Sequence, residues 1–143
     1  MDLMEYKARE LFEEGGIPVL PGVVIASRAE IPGVIGRVSF PAVVKAQVPA
    51  GKRGKAGGVV RVEDEAQLGA ALDRLIGMEI GGKTCKKVMI APFAKIEREA
   101  YLSILLDRNE KCHRVVASGE GGVNIEEVAE AHPERIAQVL IRP

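Results

Sequence analysis

The stretch from Pro41 to Val62, PAVVKAQVPAGKRGKAGGVVRV, permits few folds. Two apolar runs rich in β-branched residues flank AGKRGKAGG, nine residues holding four glycines and three cations. The flanks suit strands, because branched side chains pack well on a pleated surface. The glycines deny the middle a helix, since each gives up more backbone freedom on ordering than any other residue. The pattern predicts a hairpin, with strands at Pro41–Val48 and Val59–Val62 and a long, glycine-rich, flexible tip. Lys45 stands inside the first apolar run. It either leaves from the polar face of a half-buried strand or aims its ammonium at an anion.

Other elements follow from periodicity. The chain opens with a predicted helix in which Asp2 is the N-cap and Glu5 completes an acidic variant of the capping box. Met4, Ala8, Leu11 and Phe12 form one apolar stripe, and Gly15-Gly16 supplies the stop. IPVLPG is a connector, Val23 to Ser27 a short buried strand, and Ser27 to Gly36 a helix candidate broken by Pro32 and Gly33. Asp64 to Ile76 reads as a helix with Leu68, Leu72, Leu75 and Ile76 at helical spacing. GMEIGGKTC is a turn-rich connector and KVMIAPF a strand ending at Pro92. Glu99 to Arg108 and CHRVVASG pair across an NEK turn. NIEEVAEAH is a short helix stopped by Pro133, and AQVLIRP a final strand. Hairpins mixed with helices point to the α+β class rather than a doubly wound parallel sheet.

A chain of 143 residues makes one domain or two small lobes. Lys and Arg balance Asp and Glu at 20 each, which argues against a general nucleic-acid binder. Aromatics make up only 3%, so platforms for stacking single-stranded bases are nearly missing. Two cysteines in no CxxC pattern, no apolar run approaching the ~20 residues of a membrane span, and an acidic N-terminus point to a cytoplasmic protein with no disulfide framework.

The glycine loop fails two familiar phosphate patterns. A Walker A loop needs Gly-Lys followed by Ser or Thr, but Gly54-Lys55 precedes Ala56, and Pro49 stands five places before Gly54. A dinucleotide fingerprint opens a helix, whereas this loop opens a strand. A hairpin whose backbone N–H groups and cations meet phosphate, a solvated loop and a nucleic-acid patch around Lys52, Arg53 and Lys55 remain open. Farther on, Pro92 offers a carbonyl and Ala94 a free N–H, which together match the edge of adenine, and Glu99 can accept from a ribose hydroxyl. Cys112 and His113 are adjacent on a strand and point to opposite faces, so they cannot share a metal. His132, before Pro133, suits a capping or solvent role. The sequence contains no credible nucleophile–base pair and no two-His metal motif.

Three blocks together resemble the β subunit of ADP-forming succinate–CoA ligase: MDLMEYKARELFEEGGIPV, VVKAQVPAGKRGKAGGV and RVVASGEGGVNIEEVAEAHPE. The blocks are also similar to those of malate–CoA ligase and, more loosely, ATP citrate lyase. The resemblance covers essentially the whole chain and implies the ATP-grasp fold, in which two α+β lobes close over a nucleotide under a glycine-rich hairpin lid. It places the lid-bearing lobe at residues 19–94, and an incomplete second lobe at 1–18 with 95–143. It makes Lys45 the lysine that reaches the phosphates, and Lys52, Arg53 and Gly54 the lid positions. Pro92 and Ala94 become the hinge that meets adenine, and Glu99 the hinge glutamate. One departure is Ala91, where succinate–CoA ligases usually carry Glu.

The implied parent reaction makes acyl-CoA from a carboxylate, CoA and ATP or GTP, through a phosphohistidine on a partner α subunit. His113 and His132 do not match that histidine. Family chains continue beyond this C-terminus, and the magnesium ligands are expected there. No catalytic residue and no metal ligand is therefore assigned within these 143 residues. The chain is expected to carry half a nucleotide site and to be inactive alone. Its implied partners are nucleotide, the α subunit, CoA and a carboxylate, with no nucleic acid and no membrane. The alternative is a truncated, non-catalytic module that binds nucleotide or a partner.

Overall fold

The computed structural model describes residues 3–51 and 53–142. They divide into two compact units, 1–94 and 95–143. The first contains the opening helix, which the sequence reading had grouped with the second.

In the first unit, β1 (Val23–Ile25), β2 (Ala42–Ala46), β3 (Val59–Val62) and β6 (Val88–Pro92) form an antiparallel sheet in the order β1-β6-β2-β3. The predicted hairpin is β2–β3, with Ala42 opposite Val62 and Lys45 opposite Val59. The two-residue period of β2 buries Ala42, Val44 and Ala46 on one face and turns Val43 and Lys45 to the other. Helix α3 (Glu65–Leu75) packs on β2 and β3 and supplies Leu68, Leu72 and Leu75 to the core. Asp64 caps it, accepting a hydrogen bond from the Gln67 N–H at 2.8 Å. β6 is buried on both faces: Val88 and Ile90 face α3, while Met89 and Ala91 face the side shared with Lys45.

Three readings change. Helix α1 (Glu5–Glu14) starts later than expected, with Met4 at its N-cap and no side-chain cap; Asp2 lies outside the described residues. Glu5 is thus the first helical residue, and it faces other elements instead of its own backbone. On the α1 stripe, Leu11 and Phe12 remain half exposed. Residues 28–37 are not one helix but a 3-10 turn, a single α-turn α2 (Ile31–Val34) and a second 3-10 turn. The supposed connector after α3 holds a small hairpin, β4 (Glu79–Ile80) and β5 (Lys83–Thr84). Gly81 and Gly82 both take positive φ there, as its tight two-residue turn requires.

The second unit is a three-stranded antiparallel sheet, β7 (Tyr101–Asp107), β8 (Cys112–Ser118) and β9 (Ile136–Ile141), with α4 (Ile125–Ala131) between the last two strands. Asp107 closes the β7–β8 turn by accepting from the N–H groups of Asn109 and Glu110, each at 3.0 Å. These bonds, with Arg114 at 2.6 Å, hold the Asp107 carboxyl below the usual carboxylate range. Cys112 is buried and His113 exposed, on opposite faces as the sequence implied. His132 ends α4, exposed, with Nδ1 3.3 Å from the Glu134 carboxylate. The register aligns Leu102, Ile104, Leu106, Val139 and Ile141 on one face, where each is 50–70% exposed. No described helix is long and apolar enough to cross a membrane.

Leu72 is 1% exposed at the centre of the first unit's core. Leu72→Ala is expected to lower unfolding free energy by about 2–5 kcal/mol, read from the shift in urea midpoint.

Candidate functional site

Lys45 leaves β2 beneath the N-terminus of α1. Its Nζ lies 2.9 Å from Glu5 Oε1. Arg53, five residues beyond Val48, folds back from the glycine loop and places Nη2 2.7 Å from the other oxygen, Glu5 Oε2. Arg53 Nη1 also donates to the Ala46 carbonyl at 3.0 Å, and the Arg53 carbonyl accepts from Gly58 N–H at 2.8 Å. The tip is thus tied back to its own strand rather than hanging as a free flap. Gly57 takes a positive φ of 76° and closes a turn on the Gly54 carbonyl at 3.0 Å. Gly58 is buried, and a Cβ there would come within 2.6 Å of Ile80 Cδ1, so packing fixes this loop position as glycine. Lys52 lies outside the described residues.

Glu5 divides two clefts. One, of about 400 Å³, runs along Val48, Pro49, Ala50 and Gly51 to Arg53. The other, of about 290 Å³, is lined by Lys45, Met89 and Ala91 from the sheet and by Ala8 and Phe12 from α1, with Leu20 at its side. Ala8 and Phe12 of the α1 stripe therefore form a cleft wall. With Ala91 rather than a carboxylate in its floor, this second cleft is largely apolar. Sheltering from water pushes the Glu5 carboxyl up, but Lys45 and Arg53 outweigh that and hold it below its usual 4.5.

The sequence reading missed Gln47. It is 1% exposed, accepts from the Tyr6 N–H at 3.1 Å and donates to the Lys45 carbonyl at 3.0 Å. It ties the start of α1 to β2 and so fixes Glu5 over Lys45. The available signal was a second polar residue in an apolar strand, two places after Lys45.

Pro92 ends β6 opposite Ala42 and lines a neighbouring cleft of about 200 Å³, which meets the apolar one at Ala91. Phe93 is held by its N–H to the Pro41 carbonyl at 2.9 Å and by Arg61, whose guanidinium lies 4.1 Å from the ring centroid. Ala94 follows, half-buried, at the end of the first unit. Glu99 belongs to the second unit. There the Glu120-Gly121-Gly122 block runs directly against it. A Cβ on Gly121 would lie 2.5 Å from the Ala100 nitrogen and 2.6 Å from Glu99 Cβ, and one on Gly122 would collide with Glu99 Oε2. The two glycines seat Glu99 by having no side chains. Among the described residues, no group of three or more His, Cys, Asp or Glu side chains could hold a metal ion.

A family model described as an ATP-grasp domain matches residues 2–143. The chain belongs to the ATP-grasp family. A curated relative, the β subunit of ADP-forming succinate–CoA ligase from Chloroflexus aggregans, is 44% identical over all 143 residues. The chain spans 37% of that relative's length. Among solved structures, a dinucleotide-forming acetyl-coenzyme A synthetase from Ca. Korarchaeum cryptofilum, in complex with coenzyme A and Ca-AMPCP, superimposes with a TM-score of 0.74 at 20% identity. That match covers 96% of this chain and 59% of the other. ATP citrate lyase from Methanothrix soehngenii, in complex with citrate and coenzyme A, gives 0.70 at 21% identity, covering 97% and 34%. At such identities these two show the fold alone. The α+β ATP-grasp assignment and the kinship to succinate–CoA ligase β subunits, both read from the sequence, therefore stand.

Two outcomes follow from the packing of this ATP-grasp domain. A carboxyl whose folded value lies below its unfolded one adds stability above the unfolded value, here about 4.5, and loses it as pH falls through the folded value. Glu5→Gln should lower the melting temperature at pH 7 and flatten the acid side of the stability profile, measured by thermal melts from pH 7 to 3. Gly121→Ala should destabilise the second unit by roughly 1–3 kcal/mol, seen as faster hydrogen exchange in β7 and β8 with the first unit unaffected.

Proposed function

We propose that this chain is the nucleotide-gripping part of an ADP-forming carboxylate–CoA ligase of the succinate–CoA ligase β type. The observation that carries the reading is the convergence of Lys45 and Arg53 on one oxyanion, at 2.9 and 2.7 Å. Two cations that already share the two oxygens of a carboxylate are spaced to share two oxygens of a phosphate. Phosphoryl transfer asks a protein mainly for positioning and for charge placed where charge develops. In this reading Lys45, Lys52, Arg53 and Gly54 meet the phosphates of ATP or GTP, and the apolar cleft under α1 receives part of the nucleoside. Pro92 and Ala94 offer backbone groups to the base, and Glu99 offers a carboxylate to the ribose.

The complete protein would make acyl-CoA from a carboxylate and CoA, with ATP cleaved to ADP and phosphate through a phosphohistidine on an α subunit. It would work in the cytoplasm, in the tricarboxylic acid cycle if the acid is succinate. Magnesium would neutralise the nucleotide phosphates. Among the described residues no group of three or more potential ligands gathers, and in this reading its protein ligands come from elsewhere in the complete protein.

The lack of a metal-ligand group among the described residues also favours a second reading, in which this chain binds nucleotide or a partner without turning it over. A phosphohistidine assay of the complete protein with the α subunit separates the two, since only the enzyme reading yields a labelled histidine.

Calorimetric titration of the chain with ATP and magnesium tests nucleotide binding itself. Lys45→Gln should weaken the affinity about tenfold or more, the scale of one charged hydrogen bond. In a full-length protein carrying this segment, Arg53→Ala should raise the nucleotide KM or lower kcat. Nucleotide affinity and kinetics indifferent to both changes would overturn the assignment.

A further inference from the structure

We propose that the Glu5 carboxylate is a built-in occupant of the phosphate seat, setting a minimum charge for any ligand that displaces it. The proposal rests on the reading of Lys45 and Arg53 as phosphate contacts. Each oxygen of Glu5 takes one of these cations, as two oxygens of a bound phosphate would. Glu5 also lines both clefts, so a ligand entering from either side meets it before it has both cations to itself.

Holding α1 in place does not by itself account for this carboxylate. The helix is also tied by the Tyr6 N–H to Gln47 Oε1 at 3.1 Å and by Arg9 Nε to the Leu20 carbonyl at 2.7 Å. Arg53 would keep its bond to the Ala46 carbonyl after letting Glu5 go, so the loop stays anchored through the exchange. The exchange needs no covalent step. An incoming anion takes Lys45 Nζ and Arg53 Nη2, and Glu5 turns to water.

The charge balance sets the selectivity. Two cations and one carboxylate leave a single positive charge. A ligand carrying one negative charge replaces like with like and also has to shed its own water, so it gains little. A tripolyphosphate brings several charges into the same seat and gains by Coulomb attraction what the monoanion cannot. Glu5 thus disfavours anions of low charge, and inorganic phosphate, with roughly one to two charges near neutral pH, gains far less than the polyphosphate tail of a nucleotide.

Titration of inorganic phosphate, tripolyphosphate and ATP into the wild-type chain and Glu5→Gln tests this. The wild type should bind tripolyphosphate and ATP well and phosphate poorly. Glu5→Gln should bind phosphate about tenfold more tightly and discriminate less between phosphate and tripolyphosphate, the order expected for removing one partly screened charge a few ångströms away. A second measurement needs no variant: in wild-type chain labelled at glutamate carboxyls, saturating tripolyphosphate should return the Glu5 signal to that of a solvated carboxylate. Unchanged or weaker phosphate binding by a folded Glu5→Gln, or a Glu5 signal unmoved by bound tripolyphosphate, overturns the proposal and leaves the nucleotide reading standing. Failure of the wild type and the variant alike to bind tripolyphosphate or ATP sinks both.

Discussion

Strand β2 is paired on both sides, with β3 and with β6, so its register cannot slip by one residue without exchanging core and cleft. Because successive side chains alternate, Val44 meets the leucines of α3 only if Lys45 points the other way. The apolar energy that holds the sheet to α3 therefore also fixes the direction of the lysine. Val44 is fully buried while Lys45 keeps about a third of its side chain in contact with water. No separate device is needed to aim the ammonium. The cation is carried on the back of the core.

A second layer of order comes from α1, which contributes no buried residue yet closes one side of the cleft. Such a helix cannot be held by hydrophobic burial alone, and its position depends on directional contacts. Gln47 supplies one from just beyond β2, the Lys45–Glu5 hydrogen bond a second, and the Arg53–Glu5 ion pair adds attraction. Polar contacts of this kind are geometrically exacting and energetically modest. The region around the cations is thus ordered by bonds that can be exchanged, whereas the layer beneath it is ordered by packing that cannot. In the proposed reading, that difference would let a rigid sheet carry a charge cluster that reorganises around a ligand.

How much of this could be read from the sequence depended on how local the cause was. The β2–β3 hairpin, the α3 leucine stripe and the β7–β8 pair were legible because branched residues, helical spacing and turn residues act over a few positions. Glu5 was misread for the same reason: a carboxylate in a first helical turn has a local explanation, and its actual partners lie 40 and 48 positions away. The Gly81-Gly82 hairpin was passed over as a connector because its strands have only two residues each. The glycines of the 120–122 block carried no visible reason in one dimension, and only the fold brings Glu99 against them. Lys45 is ambiguous in one dimension, since an alternating strand looks the same whether its outer face meets water or a ligand; the structure adds that it lines a cleft and pairs with Glu5.

The apolar face formed by Leu102, Ile104, Leu106, Val139 and Ile141 has a kinetic consequence. A sheet with one open apolar face lacks its second layer, and α4, the one helix within residues 95–142, leaves those five side chains open. Any cover this face takes comes from residues outside this segment, by contacts with large sequence separation. Such contacts require long loops to close first and so form slowly. The β7–β8 hairpin is expected to close early, by its short turn, with β9 joining across the α4 connection and any cover arriving later. In the interval they present apolar surface to whatever else is folding nearby.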